Sequence, residues 1–283
     1  MDRGAALESR IDALPSPSPV LGRIRGILAD PDSSAADVVD ALKLDPVISG
    51  RTLRLANSAY IGIPRTVSSL QNAVVLLGMR RIHALVMGVA VGGIMPRHTD
   101  SPLSLADFWK HSVTVGIVCE SVARHLRRYE PIDEGESFCA GLLHDIGKLV
   151  AAVCNPASVR DLAEFCRRSG GAYCTNERGA EAHTAVGGLL AKRWAFPPDL
   201  AAAVEKHHVP SEERTFTRLV AVVHLCDTIA HLLGLQVLPG EAVPPLDEQA
   251  IAIVGLEPER LRVIARDALD DERRLESMMQ FFG

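Results

Sequence analysis

The sequence predicts an all-α fold: a helical bundle in which an amino-terminal helical region packs on a larger helical core and a helical tail follows. Apolar residues recur at helical spacing almost throughout the 283 residues. Aromatic residues make up only 4% and alternating β-branched runs are few, which leaves little material for a sheet. Proline clusters punctuate the chain at Pro15, Pro17 and Pro19, at Pro96 and Pro102, and at Pro239, Pro244 and Pro245. They divide it into regions 14–98, 99–240 and 241–283; the first carries an excess of basic residues and the last an excess of acidic ones.

The elements follow from local chemistry. Asp32-Ser33-Ser34 can cap a helix running to about Leu44, and Asp45-Pro46 stops it and starts another through Arg54, because proline suits a first helical turn and disfavours helix in the residue before it. LANSAYIGIPRTVSSL reads as an ordered connector marked by Asn57, Gly62 and Pro64. Ser68 or Ser69 caps the next helix, with Val74, Val75, Leu77, Ile82, Leu85 and Val86 as its buried stripe. Ser104 to Asp107 is a capping-box candidate opening a helix that contains His111. Further helices are predicted over 138–154, 159–169, 177–194, 198–208 and 217–233. One or two charged helices complete the tail over 247–281, with Leu246, Ile251, Ile253, Leu256, Leu261 and Ile264 as the apolar face.

A formal charge of −5 and 47% apolar residues describe a folded chain and exclude disorder as the main theme. The six cysteines form no CxxC pair, so they read as reduced thiols rather than as a disulfide framework or zinc finger. The N-terminus lacks a basic stretch followed by an apolar one, and the cytoplasm is the expected location. Leu219 to Gly240 has the length of a membrane span, but Asp227 at its centre, flanked by His224 and His231, points to a core helix, since a mid-bilayer aspartate costs about 3 kcal/mol. No membrane association is expected.

The chemistry concentrates in histidines. His98 and His125 stand alone on polar stretches and read as solvated or capping groups. FCAGLLHDIGKLV instead sets His144 and Asp145 side by side in an apolar run, with Lys148 one turn later; such a pair is costly to bury unless paired or coordinated. Gly141 and Gly147 let a neighbour approach closely. Taken alone the pair is equally a structural hydrogen-bonded couple. It has company, however: His111 in FWKHSVTVG, His183 in EAHTAVGGLL, His207-His208 in VEKHHVP and Asp227 in VVHLCDTIA, each on or at the end of a separate predicted helix. Inward-facing imidazoles and carboxylates from several helices build one- or two-metal sites.

The order His, His-Asp, His, His-His, Asp around HDIGK resembles the HD superfamily of metal-dependent phosphohydrolases. With LANSAY and AVVLLGM upstream, residues 14 to 235 are similar to the HDOD (HD-related output domain) proteins of bacterial signal transduction. The resemblance implies a first metal on His111, His144, Asp145 and Asp227, and a second on His183, His207 and His208 with Asp145 bridging. Asp145 and Lys148 would then be the catalytic candidates, Lys148 matching the HDxxK lysine that assists at phosphate. The histidine-carboxylate set suits one or two divalent ions, iron or manganese before zinc or magnesium. The HD-GYP signature of the cyclic dinucleotide phosphodiesterases is absent: the chain reads HHVPSEERTF after the histidine pair. The resemblance therefore implies a regulatory protein first and a phosphohydrolase of a nucleotide or cyclic nucleotide second. Its partner is expected to be a signalling protein or a small nucleotide ligand.

Other features are weaker. His224, Asp227 and His231, on one helical face, form an alternative reading as a hydrogen-bonded core strip. Arg51, Arg54, Arg65, Arg80 and Arg81 read as a solvated surface rather than an anion-binding face, and the acidic chain with no aromatic interleaving argues against nucleic acid. Phe281-Phe282 is either an anchor or a frayed end.

Overall fold

A computed structural model describes residues 9–14, 19–93, 101–127, 131–238 and 240–282. The expected borders at Pro15, Pro17, Pro96 and Pro239, together with His98, lie outside these residues. Among the described residues there are helices and connectors and no strand.

In the first region, α1 (Pro19–Ala29), α2 (Ala35–Leu42) and α3 (Pro46–Ala56) follow the predicted punctuation. Ser34 and Asp37 close a capping box on α2, and Asp45 accepts from the Val47 and Ile48 amides at 2.8 and 3.1 Å to start α3. Asn57 holds the connector: its amide donates to Leu53 O and Val67 O at 2.8 Å, and its carbonyl accepts from Val67 N at 2.7 Å. The single helix expected after Ser69 is two, α4 (Leu70–Leu77) and α5 (Met79–Gly92). Gly78, at φ +83°, turns the chain by 100° between them. That turn resets the helical phase, so Val74, Leu77, Ile82, Leu85 and Val86 are buried while Val75, expected in the same stripe, is 67% exposed.

The middle region is organised around α6 (Leu105–Leu126), started by Ser104 Oγ accepting from Asp107 N and buried on most of its faces. The predicted helix over 138–154 is interrupted at His144-Asp145, giving α7 (Glu134–Leu143) and α8 (Ile146–Cys154). α9 (Pro156–Ser169) ends at Gly170 in the left-handed region, and the short α10 (Tyr173–Asn176) follows. The expected helix from Glu177 begins only at His183, as α11 (His183–Arg193), because residues 177–182 run extended and through a 3-10 turn to bring Glu177 back onto His183. α12 (Pro198–Lys206) stops just before His207-His208, and α13 (Thr217–Leu232) is buried along most of its length.

The tail holds three helices rather than one or two: α14 (Glu248–Val254), α15 (Pro258–Leu269) and α16 (Glu272–Phe282). α14 lies on α13, α15 on α6, and α16 on α6, α3 and α5. Leu261 and Ile264 of its expected apolar face are buried, Ile251, Ile253 and Leu256 are half-buried, and Leu246 is exposed. Phe281 and Phe282 anchor the end. Phe282 stacks on Trp109 with ring centroids 4.0 Å apart, and Arg51 donates to Phe281 O at 2.6 Å.

One contiguous hydrophobic cluster joins side chains from Ile11 to Phe281. The expected arginine surface is only partly one. Arg81 is buried on Glu120 at 2.6 Å, and Tyr60 donates to the same carboxylate at 2.5 Å; Arg80 pairs with Glu136. Glu134–Cys154 is apolar and long enough to cross a membrane, but 94% of its apolar window is buried inside the protein, as befits the central strut of a bundle. The span-length window at Leu219 is likewise core helix.

Backbones touch where α8 meets α11. A Cβ on Gly147 would lie 2.8 Å from Gly187 N and closer still to His183 O, whereas one on Gly22 in α1 would meet nothing within 4 Å. Gly147→Ala is expected to cost about 3 kcal/mol, because neither backbone can yield without moving His183. Gly22→Ala should be neutral or stabilising by about 0.5–1 kcal/mol. Chemical denaturation of the two variants checks both.

Candidate metal centre

The helix interruption at residues 144–145 is what builds the site. His144 caps α7, Asp145 has left helical geometry at φ −93° and ψ 9°, and both side chains turn into the bundle axis. His111 arrives from the middle of α6, His183 from the first position of α11, His207 from the end of α12 and Asp227 from α13. None of these six is more than 1% exposed.

Asp145 stands between two groups of donors. Its Oδ2 lies 3.6 Å from His111 Nε2 and 3.5 Å from His144 Nε2, and Asp227 Oδ1 lies 3.2 and 3.6 Å from the same two nitrogens. Its Oδ1 faces the other way, 3.2 Å from His183 Nε2 and 3.6 Å from His207 Nε2. His208 joins this second group, its ring 4.1 Å from that of His207 and 5.0 Å from that of His183. The structure thus brings together all seven residues expected as ligands, in the two groups expected.

The proton inventory shows what the groups are built for. Each Nδ1 of the four buried imidazoles whose Nε2 atoms face the centre has an acceptor: Leu235 O for His111 at 2.6 Å, Gly141 O for His144 at 2.7 Å, Glu177 Oε2 for His183 at 2.5 Å and Ala203 O for His207 at 2.9 Å. With Nδ1 so engaged, each Nε2 is turned inward toward the centre. There the Nε2 atoms crowd one another, His111 to His144 at 3.4 Å and His183 to His207 at 3.2 Å. The only close cations at the two carboxylates among the described residues, apart from the facing imidazoles, are Lys148 Nζ at 2.9 Å from Asp145 Oδ2 and His231 Nδ1 at 3.0 Å from Asp227 Oδ1, and both nitrogens of His208 are unpartnered. Donors about 2.0–2.2 Å from a common cation sit about 3.0–3.5 Å from each other, the spacing found here. The donor set fits a divalent cation in each group.

Charge makes the same demand. Four buried carboxylates meet three cationic partners: Lys148 faces Asp145 and Glu241, while Glu177 and Asp227 hold His183 and His231 protonated. Burial alone would raise the Asp145 carboxyl, but Lys148 Nζ at 2.9 Å outweighs it and holds that carboxyl well below the usual range. Lys148 is in turn held charged against its own burial by Asp145 and Glu241. Its ammonium is therefore committed to two acids, Glu241 Oε1 lying 3.5 Å away.

Two participants, Glu177 and Glu241, escape sequence reasoning, and a third, His231, is read there only as part of a core strip. Glu177 orients His183 and accepts from its backbone amide at 2.8 Å. Glu241 closes over Lys148 from a proline-rich connector with no pattern of its own. His231 backs Asp227, its Nδ1 3.0 Å from Oδ1. The His224–Asp227–His231 strip is divided by the structure. Asp227 and His231 face the centre, while His224 donates to His207 O at 2.7 Å and accepts from Asp247 N at 2.9 Å, tying the histidine pair to the tail connector.

The HDOD domain family matches residues 14–210, crossing the border expected near residue 98. The chain belongs to the HDOD family. A crystal structure of an HDOD protein of unknown function from Geobacter sulfurreducens shares the fold with a TM-score of 0.76 and 23% identity, covering 97% of each chain. A Shewanella amazonensis SB2B protein, assigned by name only to the phosphohydrolases, is 27% identical with a TM-score of 0.74, over 99% of this chain and 98% of that one. An uncharacterized Treponema pallidum (strain Nichols) protein is 24% identical over 243 residues. The HDOD chain spans 46% of that relative's length, about half.

Without cations, the pH response of this HDOD protein is set by opposing histidines. Burial pushes His207 down to about 4 and lowers His111 and His208, so these rings stay neutral and their contribution is full above the unfolded value of about 6.5 and lost as pH falls toward 4. His183 and His231 run the other way. Against their burial, neighbouring carboxylates raise them to about 9 and about 10, a contribution full below 6.5 and lost as pH rises through those values. Stability of the chelator-stripped protein, measured by denaturant midpoint, should therefore peak near pH 6.5 and fall on both sides. Added divalent metal should flatten the alkaline limb by replacing those protons.

Proposed function

We propose that this HDOD protein is a signal-transduction module whose HD-like bundle holds two divalent cations, with iron or manganese preferred to zinc or magnesium. His111, His144, Asp227 and Asp145 Oδ2 would hold one; His183, His207, His208 and Asp145 Oδ1 would hold the other. The observation that carries this reading is the convergence of imidazole Nε2 atoms, 3.4 Å apart between His111 and His144 and 3.2 Å apart between His183 and His207, each ring held in orientation at its Nδ1. Mixed imidazole and carboxylate donors with a bridging carboxylate suit iron and manganese.

The regulatory reading is favoured over turnover by access. His111, His144, Asp145, His183, His207 and Asp227 are at most 1% exposed, and Lys148, the expected phosphate-assisting group, is bound to Asp145 and Glu241. Bound cations stabilise the bundle and report through it to a signalling protein or a small nucleotide. Metal-dependent phosphohydrolysis is the second reading, favoured by the position of Lys148 beside the bridging carboxylate. Bound cations would supply charge stabilisation at a phosphoryl oxygen; Asp145 would orient them, and Lys148 would hold its proton toward the leaving oxygen once Glu241 moved aside.

Elemental analysis of protein purified anaerobically is expected to give about two equivalents of transition metal per chain, with Asp145→Asn losing most of both. Glu177→Gln, which spares every direct ligand, is expected to weaken the second cation by about 10- to 100-fold. A folded chain holding less than about 0.2 equivalents would end the two-cation reading. Turnover of phosphodiester or phosphomonoester substrates, abolished by Asp145→Asn, would put hydrolysis ahead of regulation.

A further inference from the structure

A cavity of about 370 Å³ is lined in part by Glu136 and Cys139 of α7 and includes none of the residues of the metal centre. It lies where the amino-terminal helices meet the HD-like bundle. α1 contributes Arg25 and Leu28, α5 contributes Arg80 and His83, and the connector from α11 to α12 contributes Phe196 and Pro197. Volume alone suits a single-ring or fused-ring molecule.

Its polar groups are unequal. Arg80 is already engaged, 2.5 Å from Glu136 and 3.5 Å from Asp199, which removes both acids of the cavity from competition. Arg25 makes one bond, to Trp194 O at 3.3 Å, and no carboxylate among the described residues forms an ion pair with it. His83 is the more telling residue. It is 2% exposed, lines the cavity and has no hydrogen-bond partner among the described residues. Buried imidazoles ordinarily find a partner. Burial, and then the Arg25 charge, push its pKa down to about 4, so it is neutral and can donate from one nitrogen. The remaining wall is apolar. At its lip Ala195 takes φ +46°, alone among the described non-glycine residues in the left-handed region, and this turn lets Phe196 N reach Ala191 O at 2.8 Å.

We propose that this cavity binds a small amphipathic anion, an aromatic or branched apolar body bearing one carboxylate, sulfonate or phosphate group. Arg25 takes the anionic group at the mouth, His83 donates to it or to a neighbouring acceptor from below, and Phe196 and Pro197 cover the apolar body. A neutral ligand would forgo the charge-assisted bond to Arg25, and a cation would meet it as a like charge.

The test uses the full chain as purified, with 8-anilinonaphthalene-1-sulfonate as probe and fluorescence titration as readout. One saturable site per chain is expected. Arg25→Gln should weaken it by about tenfold or more and His83→Leu by about three- to tenfold, the range for hydrogen bonds to a charged group. The uncharged analogue N-phenyl-1-naphthylamine should bind about tenfold more weakly, by the same charge-assisted margin. Ala29→Trp, on the exposed end of α1 at the cavity wall, should block the site while leaving the thermal melt cooperative, and it serves if Arg25→Gln fails to fold. In the complex, the His83 imidazole should titrate at higher pH by NMR, a change that a purely structural histidine would not show. Several weak probe sites, equal binding of the neutral analogue, or binding indifferent to Arg25→Gln and Ala29→Trp would each overturn the proposal. None of these outcomes depends on the metal centre.

Discussion

The crowding of imidazole nitrogens and carboxylate oxygens at one buried centre is the constraint on which this structure turns. Four imidazoles are brought to the axis of a helical bundle with their Nδ1 hydrogens already committed, three of them to backbone carbonyls and one to Glu177. Their Nε2 atoms and the oxygens of Asp145 and Asp227 repel one another in a place water scarcely reaches. Burying such groups unpaired costs several kcal/mol. A fold that keeps them there needs positive charge among them, and without cations it comes from Lys148 and from the protons that carboxylates hold on His183 and His231.

Much of the scaffold is arranged to hold that cluster in place. The interruption between α7 and α8 lets adjacent residues in sequence point to different neighbours, which an unbroken helix would forbid. Gly147 and Gly187 bring α8 and α11 into backbone contact, so His183 and Asp145 approach without a side chain intervening. The tail takes part as well. Leu235 O fixes His111, Glu241 fixes Lys148, and Asp247 N reaches His224, which steadies the turn carrying His207.

The helical class and the seven expected ligands were legible in sequence because histidine and aspartate on apolar stretches are costly unless they have a shared purpose. Helix starts were legible where a side chain caps them, as at Ser34, Asp45 and Ser69. What could not be read was every feature set by tertiary demand. Gly78 bends a continuous apolar pattern by 100°, so the periodicity that predicted one stripe served two helices and left Val75 outside. The break at His144-Asp145 carries no proline or terminal glycine to announce it. Glu177 and Glu241 sit in irregular segments, where spacing says nothing about which side chain turns inward. His231 was visible as a neighbour of Asp227 on one helical face, but only the packed bundle separates it from His224.

α7 and α12 have an unusual pair of endpoints. Both begin beside the cavity that Arg25 and His83 line, through Glu136 and Asp199, and both end on an imidazole of the centre, His144 and His207. They are rods of 10 and 9 residues, about 14 Å long, too short and too well packed to absorb a displacement by bending. If an occupant of the cavity favoured one setting of these rods, thermodynamic reciprocity would make it change cation affinity by the same factor as the cations change its own. In that sense the amino-terminal layer is a dial mounted on the same two shafts as the centre.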